Sequence, residues 1–106
     1  MSGGSTGPFP SGGKKQSNCE FLTINSVVTS PKPNVVSQLK TGDIVDIAVS
    51  PTSSYSVVVA LFQGSELGSL MSGAESLLDC IEQGYFFQGE VTRIHNGRVD
   101  LHISAV

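Results

Sequence analysis

Apolar and polar positions alternate along this chain in short runs, and Gly, Pro, Asn and Ser separate the runs. Residues 19–29, CEFLTINSVVT, are rich in strand formers. Leu22, Ile24 and Val28 share one parity, and Phe21, Thr23 and Val27 share the other. That pattern predicts a strand covered on both sides or bent part-way. Pro31 and Pro33 end it, because neither can donate to a ladder. Asn34 is placed to cap a single helical turn, Val35–Lys40, with Val35, Val36 and Leu39 on one face. After the turn signal Thr41-Gly42-Asp43, Ile44–Val49 reads as a second strand whose one polar residue is Asp46. A polar loop, Pro51 to Ser54, leads into Tyr55–Phe62, the most apolar segment and the expected central strand. Gln63-Gly64-Ser65 then reverses the chain into a short strand, Glu66–Leu70.

Here the period changes. Ala74, Leu77, Leu78 and Ile81 recur at helical spacing and make one apolar stripe. Ser72 and Glu75 have the S-x-x-E spacing of a capping box, and Gly84 suits the left-handed residue that ends a helix. Glu75, Asp79 and Glu82 lie off the stripe and are expected to face water. Tyr85–Ile94 reads as a strand, with Gly89 as a bulge or close-approach point. Asn96-Gly97 is the strongest hairpin signal, since a type I′ turn needs positive φ at both positions. Counting from that turn pairs His95 with Arg98, Ile94 with Val99, Arg93 with Asp100, Thr92 with Leu101 and Val91 with His102. One hairpin face then holds Ile94, Val99, Leu101 and Ile103. The other holds Arg93, His95, Arg98, Asp100 and His102.

These elements predict an α+β, mainly β, fold. It is a six-stranded, strongly bent sheet or partly open small barrel, with one α-helix between strands four and five that plugs one end or lies across one face. Residues 19–106 form a single domain in this reading. Residues 1–18 hold five glycines, two prolines and four serines against one large apolar residue, Phe9, and read as a flexible tail. Without the tail, four cations (Lys32, Lys40, Arg93, Arg98) stand against nine acids, a net charge near −5 with neutral histidines. An acidic body repels phosphate unless its cations share one face, so general nucleic-acid binding is disfavoured.

One resemblance emerges from these segments. Leu39-Lys40-Thr41-Gly42-Asp43-Ile44-Val45 looks like the element that opens a strand in HIRAN domains. Val57-Val58-Val59-Ala60-Leu61-Phe62, then Gly64, then Leu67-Gly68-Ser69-Leu70 is similar to that family's next two strands. The helix ending at Gly84 and the strand through Gly89-Glu90-Val91 follow in the same order, so the resemblance covers about residues 35–103. It implies a six-stranded barrel with helical insertions, which in that family grips the free end of single-stranded DNA. Those domains carry an Asn/Asp-rich stretch where this chain has Ser50-Pro51-Thr52-Ser53-Ser54-Tyr55, and no ligand-binding position carries over.

The chemistry-bearing residues are few. His95 and His102 fall on the expected solvent face, with no serine or cysteine at a catalytic spacing. Ser11-x-x-Lys14 and Ser37-x-x-Lys40 lack the rest of an acyl-transfer signature, and there is no P-loop or G-x-G-x-x-G. No enzyme, no cofactor and no metal site is expected. Cys19 and Cys80 lie close enough for a disulfide if the first strand runs under the helix. With no export signal, two reduced, buried thiols are the favoured reading, in a cytoplasmic protein. Adjacent rings in Tyr85-Phe86-Phe87 point to opposite sides of a strand, which leaves at least one outside the core and available for stacking. The candidate ligand-binding residues are Arg93, His95, Arg98, His102 and Tyr85. The expected role is a binding module that docks onto a partner protein or onto itself, with no membrane span.

Overall fold

A computed structural model describes residues 18–51 and 56–106. The predicted tail lies outside the described residues, except for Asn18. Strands β1 (Thr23–Thr29), β2 (Ile44–Pro51), β3 (Ser56–Phe62), β4 (Ser65–Leu70), β5 (Phe87–His95) and β6 (Arg98–Ala105) are joined by two helices, α1 (Pro33–Val36) and α2 (Ala74–Glu82). The order β1-β4-β3-β2-β5-β6 closes on itself through the β1–β6 pair, and every neighbouring pair is antiparallel. The strands and the helix between β4 and β5 are those the sequence pattern predicts. The ring is closed, so β3 is one member of it without being a sheet centre.

Alternation builds the interior. Val28, Val45, Ile47, Val58, Phe62, Leu67, Val91, Val99, Leu101 and Ile103 are buried in one cluster. The two ends of the ring differ. One end carries α1, the Gln63-Gly64 turn and the Asn96-Gly97 hairpin. Val35 and Leu39 cover the core there. The other end carries a 3-10 turn (Cys19–Phe21), α2 and the start of β5, with Leu77 and Cys80 fully buried. The helix therefore plugs an end of the ring.

Several local expectations are corrected. The first strand starts at Thr23, because Cys19–Phe21 coil into the 3-10 turn. A disulfide joins Cys19 to Cys80, with 5.7 Å between their Cα atoms, in place of the two reduced thiols expected. The turn before β1 does run beside the helix, and that adjacency makes the bond reachable. Helix α1 begins at Pro33, whose fixed φ suits a first helical position. Asn34 does not cap it, and its carbonyl instead accepts bonds from Ser37 Oγ and Gln38 Nε2. The capping box does not form. The residue before α2 is Gly73, at φ 79°, with no side-chain cap. Ser72 is held elsewhere: Ser26 Oγ donates to its carbonyl at 2.8 Å and accepts from its N–H at 3.2 Å. Of the three helix acids, Glu75 and Glu82 face water and Asp79 is half-buried.

The last hairpin keeps its turn, with Asn96 and Gly97 both at positive φ. The pairs His95–Arg98, Ile94–Val99 and Arg93–Asp100 follow the count from the turn. A bulge at Thr92 then shifts the register. Val91 faces Leu101 and Glu90 faces His102, where Thr92–Leu101 and Val91–His102 were expected. The bulge satisfies two inward-facing demands: Val91 and Leu101 both become buried. Gly89 is the close-approach point, since a Cβ there would lie 3.3 Å from Val45 Cγ2.

Candidate functional site

The cationic residues singled out in the sequence occupy the hairpin end. Arg93, His95 and Arg98 are exposed beside the Asn96-Gly97 turn. Arg93 faces Asp100 in register, yet Asp100 is bound by Arg98, whose Nε donates to Oδ1 at 2.8 Å. His102 lies farther along β6, half-buried, with Nδ1 2.8 Å from Asn25 Oδ1. His95 Nε2 is 3.2 Å from Asn96 Nδ2. A polar depression of about 300 Å³ is lined by Asn25, Thr92, Arg98 and Asp100, with Ser26, Val27 and Leu101. Asn25 and Thr92 were not singled out from the sequence. The bulge that turns Thr92 outward has no signal there, because it arises from the fit of β5 to β6.

Tyr85 is not part of that group and sits at the opposite end of the ring. Its hydroxyl donates to Glu20 Oε1 at 3.4 Å, and its N–H donates to the Cys80 carbonyl. Several exposed apolar residues belong to the same end. Phe21 is 77% exposed, Phe86 75%, Val106 74% and Tyr85 36%. The backbone places these residues together. Val106 N–H donates to the Phe86 carbonyl, the Cys19–Cys80 bond ties the Phe21 turn to α2, and Thr23 pairs with Ser104. The strand expected from Tyr85 starts only at Phe87, which turns inward and is buried. Tyr85 and Phe86 precede it and are both exposed, so the run does not alternate across a strand as expected, although rings do lie outside the core. On another side of α2, Val57, Val58, Leu70, Ala74, Leu78, Ser56 and Glu75 line an apolar cleft of about 170 Å³. Met71, also exposed, follows directly from Leu70. Phe21 and Val106 were missed in the sequence. Phe21 reads there as strand packing, and only the 3-10 turn puts it outside.

Charge is distributed just as unevenly. Glu20, Glu75, Asp79 and Glu82 belong to the α2 end. Lys32, Lys40, Arg93 and Arg98 all belong to the other end. Lys32 N–H donates to the Leu67 carbonyl, and Gly42 N–H, two residues after Lys40, donates to the Val91 carbonyl. Asp43, Glu66 and Asp100 share that end and offset much of its charge. Among the described residues, no three His, Cys, Asp or Glu side chains come together as a metal site. No helix there is long and apolar enough to cross a membrane. Comparison of the chain with protein-family models, with curated proteins and with solved structures finds no match.

Proposed function

We propose that this protein is a non-enzymatic binding module that docks onto a partner protein through the α2 end of its ring. One observation carries the reading. Phe21, Phe86 and Val106 are each about three-quarters exposed and gather with Tyr85 on one end of a small domain. Burying a large apolar side chain is worth about 1.5–3 kcal/mol, so leaving two phenylalanine rings in water forgoes stability that the fold itself does not recover. Several exposed large apolar side chains on one end of a small domain mark an interaction site. The rings sit on pinned backbone: the disulfide fixes one side, and β5 and β6 fix the other. Docking onto such a platform orders few additional residues.

The test is photo-crosslinking in the native cell. A benzophenone amino acid at position 86 is expected to yield a discrete protein adduct, and one at position 63, in the turn at the far end, is expected to yield none. Equal labelling from both positions, or none from position 86, counts against the reading.

A second reading is binding of single-stranded DNA ends, as the HIRAN resemblance implies. What favours it is that all four body cations belong to the hairpin end of the ring, and one of them, Arg98, lines a polar depression. Anisotropy of labelled short oligonucleotides at low salt tests it. Binding lost in an Arg93→Glu/Arg98→Glu variant supports it, and an unchanged signal at high micromolar protein removes it.

A further inference from the structure

We propose that the segment received at the α2 end is a cationic one, an apolar anchor flanked by lysine or arginine on a partner protein. This rests on the docking reading above and adds the chemistry of the partner. Glu20, which holds the Tyr85 hydroxyl, and Glu82, two residues before Gly84, flank the exposed rings, Glu75 and Asp79 lie on the same helix, and the body's four cations all lie at the other end. Helix α2 sharpens the asymmetry. Its last turn holds no basic residue, and its final residue is Glu82. The carbonyls that end a helix carry partial negative charge, so an acid there is locally unfavourable. That negative helix end lies two residues before Gly84-Tyr85-Phe86, beside the exposed rings. Glu20 approaches from the other side, holding the Tyr85 hydroxyl. An apolar platform with an acidic border gives an incoming chain both a place for an aliphatic or aromatic side chain and a field that draws ammonium or guanidinium groups.

The same field sorts the alternatives. Bases stack on exposed rings, but phosphates would then face these acids. A second copy would bring acid against acid. The chain's own Phe9, Lys14 and Lys15 have the right chemistry and lie outside the described residues. The experiment therefore includes them as a competitor.

A random peptide library is selected on the immobilised full chain. The best peptide is then measured by fluorescence anisotropy against wild type, Phe86→Ser, Glu20→Lys/Glu82→Lys and Lys14→Glu/Lys15→Glu. All five positions are exposed or outside the described residues, and matched thermal unfolding verifies that each variant folds. The selected peptides are expected to combine Lys or Arg with an aromatic or aliphatic residue. Phe86→Ser and the double charge reversal are each expected to weaken binding by about tenfold or more. Raising the salt concentration is expected to weaken it further. Peptides that depend on Phe86 but carry no cations overturn the cationic assignment and leave the docking surface standing. Binding indifferent to Phe86 overturns both. Marked tightening in Lys14→Glu/Lys15→Glu assigns the surface to the chain's own N-terminal segment and overturns the partner assignment.

Discussion

A methyl group added at Gly68 would meet the Thr29 carbonyl oxygen and Val28 Cγ1, each at 2.7 Å. The first of these is backbone, and it belongs to the strand that closes the ring, so it cannot swing aside. We expect Gly68→Ala to lower stability by about 1–3 kcal/mol, measured by denaturant unfolding, as overpacking in a tight interior does. Ser26 offers a polar counterpart. It is 3% exposed, and its hydroxyl serves both the N–H and the carbonyl of Ser72. Ser26→Ala should cost about 1–3 kcal/mol in the same assay, because a buried hydrogen-bonding site is left unanswered. Neither role is legible in the sequence. Gly68 sits in an ordinary strand pattern and Ser26 looks like a polar interruption of one. The partner of each lies about 40 or more residues away, as the separations in the Ser26–Ser72 and Thr29–Ser69 bonds show. Local pattern carries information about neighbours along the chain, and these residues answer to neighbours across it.

Turn chemistry, by contrast, is local. The Asn96-Gly97 hairpin and the first three pairs beyond it follow from sequence, because positive φ at two positions fixes how the strands leave the turn. Gly97 isolates that effect. A Cβ there meets nothing within 4 Å, so the cost of Gly97→Ala is conformational alone, about 1–2 kcal/mol from the left-handed backbone. The assay is equilibrium unfolding, and a variant as stable as wild type would show that the turn changes type at no cost. Helix α2 is legible for the same reason, through its apolar spacing and Gly84. Its cap is not. Ser72 and Glu75 have the right spacing, but Ser26 holds the Ser72 backbone and Gly73 makes the entry turn. The candidate site divides in the same way. An exposed ring in the 85–87 run is legible in the sequence, but Tyr85 and Phe86 are both exposed because β5 begins only at Phe87, and Phe21 joins them only because the chain coils before β1.

Ring closure belongs to no single element, and its weakest place is the β1–β4 seam. Only Val28–Leu70 and Thr29–Ser69 pair there, flanked by Met71 N–H on the Val27 carbonyl and Lys32 N–H on the Leu67 carbonyl. The β5–β6 ladder, by comparison, runs the length of both strands. Cys19 precedes β1 and Cys80 follows β4, so the disulfide ties together the segments that flank this seam. It spans 61 residues, and a crosslink closing a loop of that size limits the unfolded chain by about 4 kcal/mol in the entropic account. Reduction should therefore lower the unfolding midpoint. Its second effect is spatially selective. With the bond intact, the Met71 and Lys32 amides should exchange with solvent about as slowly as those of β5 and β6, because opening the seam also requires displacing the tethered turn and helix. With the bond reduced, β1 and β4 can part locally while the β5–β6 hairpin stays folded, and the seam amides should then exchange at least about tenfold faster than the hairpin amides. Hydrogen exchange followed by NMR on the full chain, with and without reductant, reads this directly. If the seam and hairpin amides accelerate together, the ring opens only by unfolding as a whole, and the disulfide acts on the unfolded chain without guarding the seam.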